Sequence, residues 1–219
     1  MGANHSSCVM PAYASGSRGS TVMSLSDGYT ELAPGKIANV ATFLEMRAPR
    51  PISVVDAPAG ASLQRLGAAD VNAYRDVMRQ VGAPYLWCSR LQLSGEELQS
   101  LIGNPDVEAY TVRVSGSDEG LLELDFRLPY ECELRFFGVT EQLIGKGYGR
   151  WLMHEALRLA WARPIERFWL HTCNLDHPNA LAFYVRAGFV PYKRKVEVSD
   201  DPRLNRLLPR DAAPHIPVI

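Results

Sequence analysis

The stretch GVTEQLIGKGYGRWLMHEAL, residues 138–157, sets glycine at three alternate positions, Gly145, Gly147 and Gly149, and then runs into a helical pattern without a breaker. Free N–H groups in a first helical turn, the positive end of the helix dipole and missing β-carbons together make an anion site. The expected helix covers about 147–162, with Leu152, Ala156, Leu159 and Ala160 on one stripe. Two phosphate-binding patterns do not fit. A P-loop needs Lys-Ser or Lys-Thr at the helix start, whereas Lys146 is followed by Gly147. A dinucleotide fingerprint needs its third glycine at the position of Arg150, inside a parallel unit. Glycines that merely permit a tight turn are the alternative for this loop taken alone.

Working outward, three strand-like runs precede the loop: VEAYTVRV (107–114), GLLELDFRL (120–128) and CELRFFGV (132–139). A Ser-Gly-Ser-Asp-Glu-Gly turn joins the first two and Pro129-Tyr130 the last two, so they read as an antiparallel meander. Upstream, GAADVNAYRDVMRQVG sets Val71, Tyr74, Val77, Met78 and Val81 at helical spacing, with Asp70 as N-cap and Gly82 as the stop. A shorter helix is expected in LSGEELQSLIGN (93–104), where Ser94 and Glu97 form a capping box. Strands at KIANVATFLEM (36–46) and SLQRL (62–66) flank a proline-punctuated connection over 47–60. Downstream lie a strand at RFWLHTC (167–173), a short helix over 178–187 stopped by Gly188, and a final strand FVPYKRKVEV (189–198). Strands in succession first, then strands alternating with helices, imply an α/β chain (α+β mixed sheet) with helices on both faces.

With 219 residues the chain supplies one core of ordinary size. The expected divisions are a disordered Ser-, Gly- and Ala-rich tail over 1–35, an extended strand and connection over 36–60, the main domain over 61–198, and a tail over 199–219 that loops over the surface. Met10 and Met23 are alternative starts. No basic segment followed by an apolar run opens the chain, and no window approaches the roughly 20 apolar residues that cross a bilayer, so neither a secretory signal nor a membrane partner is expected. A net charge of −1 gives no field for gripping nucleic acid. Cys8, Cys88, Cys132 and Cys173 form no CxxC and read as free thiols of a reducing, cytoplasmic compartment.

The hexapeptide Ile144-Gly145-Lys146-Gly147-Tyr148-Gly149 resembles the pyrophosphate loop of the GNAT superfamily of acetyl-CoA-dependent N-acetyltransferases, with Ile144 where that family usually has Gln or Arg. ELRFFGV is similar to the family's fourth strand, and HPNALAFYVRAGFVPY (177–192) to its fourth helix. Ala180, Tyr184, Gly188 and Phe189 match that helix pattern, and His177 stands where Asn is usual. The resemblance covers about Ala61 to Val198. It implies the GNAT fold, a central, largely antiparallel mixed sheet of about six to seven strands. It further implies acetyl-CoA as cosubstrate without a metal, and an amine acceptor, either a small molecule or a protein amine. A homodimer is one compatible assembly.

By the same resemblance the cofactor contacts are Phe137, Gly138, Val139, Ile144, Gly145, Lys146, Gly147, Tyr148, Gly149, Arg150, Asn174 and Tyr184, and the Val139 N–H faces the reacting carbonyl. Tyr184 stands where the family protonates the departing thiolate; a buried core tyrosine is the alternative. Acyl transfer needs a neutral nitrogen, and a lysine-like amine with pKa about 10.4 lies some 3.4 units the wrong way at pH 7, roughly 4.6 kcal/mol. Glu131 and Glu133 project from one strand face together with Arg135. Glu133 matches a frequent family base and Glu131 a second position in use, while a salt bridge to Arg135 is the alternative.

HTCNLDHP (171–178) invites a Cys/His nucleophile, but His171 and Cys173 sit two apart on one strand face and read as packing. His171 and His177 have poor metal spacing. Asp176 or His177 is expected to cap the helix that follows. Asp118, Glu119, Glu123, Asp125, Glu131 and Glu133, against Arg127 alone, form either a negative ledge for a cationic amine or a solvated hairpin face. Tyr85, Trp87 and Tyr130 line an acceptor pocket or serve as core and hinge residues. Ile144 and His177, as departures from the pattern, support a second class of answer, an acyl-CoA-binding sensor without turnover.

Overall fold

In the computed structural model, which describes residues 25–50 and 54–219, the elements run in chain order as follows. First come β1 (Lys36–Met46), β2 (Ala61–Leu66), α1 (Val71–Gly82) and α2 (Gly95–Ile102). Next are β3 (Val107–Val114), β4 (Ser117–Asp125), β5 (Glu131–Val139) and α3 (Tyr148–Trp161). The chain closes with β6 (Arg167–Cys173), α4 (Ala180–Ala187) and β7 (Val190–Asp200). Most of the expected 1–35 tail, including Cys8, Met10 and Met23, lies outside the described residues.

Seven strands form one sheet in the order β2-β3-β4-β5-β6-β1-β7. Only β5 and β6 pair in parallel. β1, which precedes the expected domain's start at Ala61, is an interior strand of the same sheet and pairs antiparallel with both β6 and β7. Helices cover both faces. α3 and α4 pack with Leu122, Leu124, Phe168 and Leu170 on one side, and α1 and α2 pack with Ala109, Leu121 and Phe136 on the other. β4 is therefore buried on both faces, and each large apolar side chain removed from water there contributes about 1.5–3 kcal/mol.

Local chemistry explains where the boundaries differ from the sequence reading. Ser115 and Gly116 adopt positive φ, 51° and 91°, and make a two-residue hairpin turn, so β4 starts at Ser117 rather than after a six-residue loop. It ends at Asp125, whose carboxylate accepts the Arg127 N–H at 3.0 Å and turns the chain. Ser94 and Glu97 form the expected reciprocal capping box. Asp70 does not cap α1 with its side chain; its Oδ2 accepts the Gly67 N–H at 2.8 Å instead.

The segment after β7 has no helix or strand, yet it does not simply loop over the surface. Leu208 and Ala213 join the core beneath α1. The guanidinium of Arg203, 1% exposed, pairs with Asp201 at 2.7 Å and donates to the carbonyls of Ala212 at 3.1 Å and Ile216 at 2.7 Å. One arginine thereby satisfies carbonyls that an irregular segment would otherwise bury without partners.

Candidate active site

Two irregularities in β5 create the site. Pairing with β6 stops at Glu133↔Trp169 although both strands continue, so the two separate from Arg135 and His171 onward. At the same level Leu124 opposes Leu134 while Glu123 opposes Phe136, which makes Arg135 an extra residue in β5. The bulge changes which face each side chain occupies. Leu134 packs toward α3, Phe136 packs toward α1, and Phe137 and Val139 return to the α3 and α4 side. The facing backbone edges beyond this point have no ladder partner.

The glycine loop lies across this gap. Gly145 and Gly147 adopt φ of 79° and 89°, which only glycine takes without strain. Gly149 has no such φ, and a β-carbon there would meet nothing nearer than the Phe183 ring at 4.0 Å. Neither turn geometry nor internal packing therefore accounts for the third glycine, and open space in front of the loop does. The first α-helical bond joins the Trp151 N–H to the Gly147 carbonyl at 3.1 Å, so the amides of Tyr148, Gly149 and Arg150 precede the bonded turns of α3.

Of the expected cofactor contacts, Phe137, Gly138, Val139, Ile144, Gly145, Gly147, Gly149, Arg150 and Tyr184 line one cavity of about 550 Å³. Lys146 and Tyr148 are outside that lining, and Asn174 is turned away, its Oδ1 accepting the Val40 N–H of β1 at 2.7 Å. Arg135, on β5, and Arg186, on α4, add two further guanidinium groups to that of Arg150 in the lining. Tyr184 packs edge-on against Phe137 and Phe183, with centroids 6.0 and 5.6 Å away. Burial, and secondly the Asp176 carboxylate, holds its phenol far above the ordinary range, so it stays protonated.

The carboxylates of β5 are not open to the cavity. Glu133 accepts from Arg135 Nη1 at 3.0 Å, and Glu131 pairs with Arg167 at 3.2 Å in a separate cleft. The neighbour that does line the cavity is His171, which the sequence reading had assigned to packing. Its ring stacks on Phe43, and its buried Nδ1 lies 3.7 Å from Glu133 Oε1 without a hydrogen-bond partner. Burial, then Arg135, lowers its pKa against the opposing pull of Glu133, Asp176 and Glu197, so the imidazole is neutral at pH 7. No local motif marks His171, because its value depends on the far strand.

Cys173 also lines the cavity, but burial and Asp176 push its thiol up to about 11, which makes it a poor nucleophile. Among the described residues Cys132 and Cys173 form no disulfide. Asp176 does not cap α4. It accepts from Trp87 Nε1 at 2.9 Å, the Thr172 hydroxyl at 2.7 Å and the Cys173 N–H at 2.8 Å, and so ties the segment after α1 to the end of β6. His177 Nδ1 accepts the Asn179 N–H at 3.1 Å.

The acidic run is neither a negative ledge nor a solvated face, because every carboxylate in it is engaged. Asp118 pairs with Arg113 at 3.6 Å, Asp125 with Arg127 at 2.5 Å, and Glu119 accepts from Thr140 at 2.7 Å and Gln142 at 2.6 Å. Glu123, fully buried, pairs with Arg90 at 2.5 Å and accepts the Tyr74 hydroxyl. Tyr85 and Trp87 do line the cavity, while Tyr130 is exposed elsewhere. Among the described residues no helix is long and apolar enough to cross a membrane.

Solved structures share this architecture. A GCN5-related N-acetyltransferase from Sphaerobacter thermophilus superposes with a TM-score of 0.58 at 16% identity, covering 74% of this chain and 52% of its own. One from Kribbella flavida gives 0.52 at 19% identity, covering 78% and 63%. An aminoglycoside acetyltransferase from an uncultured soil metagenomic sample gives 0.51 at 16%, covering 59% and 88%. The chain thus spans between half and two thirds of the first two proteins' lengths. No curated protein matches it. At such identities the likeness is one of fold. The profile of the Acetyltransferase (GNAT) family matches residues 100–189, the segment that holds the bulged strand, the glycine loop and Tyr184, and it is to this GNAT acetyltransferase family that this part of the chain is similar.

Proposed function

We propose that the protein is an N-acetyltransferase that moves an acetyl group from acetyl-CoA to a cationic primary amine by direct attack in a ternary complex. The observation that carries this reading is the single cavity running from the glycine loop, through the β5–β6 gap, to His171. Open space at Gly145, Gly147 and Gly149, with Arg150 and Arg186 beside it, suits a diphosphate held by main-chain amides and two guanidinium groups. Acetyl-CoA supplies the activated acyl group. The unpaired edge of β5 at Phe137 to Val139 suits the cofactor's amide-bearing arm, and the Val139 N–H suits the carbonyl oxygen in the transition state.

The acceptor nitrogen must lose a proton before it attacks. Glu133 is paired with Arg135 and lies 3.7 Å from His171, which lines the cavity. A His171 Nδ1–H directed at Glu133 leaves Nε2 as the accepting nitrogen, so the imidazole takes the proton and Glu133 orients and stabilises it. Tyr184, kept neutral, returns a proton to the leaving thiolate. The test is release of free thiol from acetyl-CoA across a panel of amines, alongside calorimetry with coenzyme A. Amine-dependent release supports transfer. Tight binding with no release would favour an acyl-CoA sensor, and no binding would remove both readings.

A further inference from the structure

β1 and β7 both lie outside the segment matched to the family, and both contribute to the cavity wall. Asn39 on β1 stands directly opposite Glu197 on β7. Its Nδ2 donates to Glu197 Oε2 at 3.0 Å. A carboxylate only accepts, so this bond fixes the amide orientation and leaves Asn39 Oδ1 as an acceptor. That oxygen is buried without a hydrogen-bond partner, on a residue only 7% exposed that lines the cavity. A buried acceptor left unsatisfied costs free energy that a donor from a ligand would recover.

The charges around the pair point to the sign of that ligand. Glu197 lines the cavity and takes part in no ion pair among the described residues, in contrast to Glu123, Asp125 and Glu133. Lys195, two residues away on the same face, is turned over the Phe43 ring, 4.9 Å from its centroid. Asp176, also in the wall, accepts three hydrogen bonds and forms no ion pair among the described residues. Of the cationic side chains in the wall, Arg150 follows the glycine loop, Arg186 is on α4, and Arg135 is held by Glu133 at 3.0 Å. An ammonium group offers three donors to a carboxylate oxygen and an amide oxygen, and it needs no acceptor in return.

Position then separates this pair from the reacting centre. Phe43 faces His171 across the β1–β6 ladder, and Asn39 is four residues further along β1 on the same face. At 3.3 Å per residue the two levels are about 13 Å apart. One amine cannot occupy both. We propose that Asn39 and Glu197 form an ammonium subsite for the second, non-reacting nitrogen of a diamine or polyamine acceptor. This rests on the acyl-transfer reading above for the first nitrogen, but not for the binding of the second.

The experiment compares α,ω-diamines of increasing length with n-alkylamines of the same length, using the full chain and its Glu197→Gln and Asn39→Leu variants. Thiol release from acetyl-CoA gives kcat/KM, and calorimetry with coenzyme A present gives binding without turnover. A long diamine is expected to exceed its monoamine at least tenfold in the native protein, and both variants are expected to erase that ratio through KM. An unchanged ratio in both variants overturns the subsite. Should no amine be acetylated, the transfer reading fails alone and calorimetry decides: diamine binding lost in Glu197→Gln supports the subsite, and equal or absent binding in both proteins overturns it.

Discussion

Nδ1 of His171 lies 3.7 Å from Oε1 of Glu133, at the level where β5 and β6 part, and the same carboxylate accepts from Arg135 at 3.0 Å. Two groups, His171 of β6 and Arg135 of β5, thus share one carboxylate beside the cavity. If His171 is the base, its neutral form is the active one. Because burial and Arg135 lower its pKa, kcat/KM should rise with pH through a midpoint below the ordinary 6.5. Arg135→Gln should move that limb up, and Glu133→Gln should move it down. His171→Gln should lower kcat/KM about 10²- to 10⁴-fold and flatten the limb. A pH–rate series on the four proteins checks this, and an unmoved limb would exclude the assignment.

The lowered pKa also has a stability consequence. Between the folded value and 6.5 the unfolded chain binds more protons than the folded one, so His171 costs stability as pH falls through that window and nothing above it. Urea unfolding at successive pH values should show this loss in the native protein and less of it in His171→Gln.

Tyr184 makes no hydrogen bond to the protein among the described residues and packs between Phe137 and Phe189. Tyr184→Phe keeps the rings and removes the proton. The expected result is a fall in kcat of ten-fold or more with little change in coenzyme A affinity. Equal losses in affinity and rate would indicate packing alone.

Gly147 and Gly138 are needed for different reasons. Gly147→Ala meets no neighbour but places a β-carbon at φ of 89°, costing about 1–2 kcal/mol. It should weaken coenzyme A binding as well. In Gly138→Ala the new carbon would stand 2.8 Å from Val81 Cγ1 and 3.2 Å from Trp87 Cη2, so α1 and the cavity wall must shift. A loss of about 1–3 kcal/mol follows from overpacking. Thermal melts with paired calorimetry separate the two cases.

Arg90→Met leaves Glu123, 0% exposed, with only the Tyr74 hydroxyl. Removing one partner of a buried pair costs about 3–5 kcal/mol. Urea unfolding should show that loss, and Arg90→Met/Glu123→Leu should recover part of it.

Much of the fold was legible because its signals are local. The capping box at Ser94 and Glu97, the stop at Gly188 and the stripe of α3 depend on residues within a few positions of one another. The glycine loop was equally legible, since φ at Gly145 and Gly147 is set by the chain itself. Pairing of acids was not, because Arg90 and Glu123 are 33 residues apart and Arg167 and Glu131 are 36 apart. Charge in a sequence does not reveal its partner.

The sequence by itself determined a glycine-rich loop opening a helix, a meander before it, and a tyrosine-bearing helix after it, through steric and hydrogen-bonding rules that act over short spans. Only the tertiary structure decided that β1 enters between β6 and β7, which sets Asn39 against Glu197 and Phe43 against His171. Strand order is fixed by which buried faces fit together across the whole sheet. No window of sequence contains that choice, and the cavity wall that β1 and β7 supply depends on it.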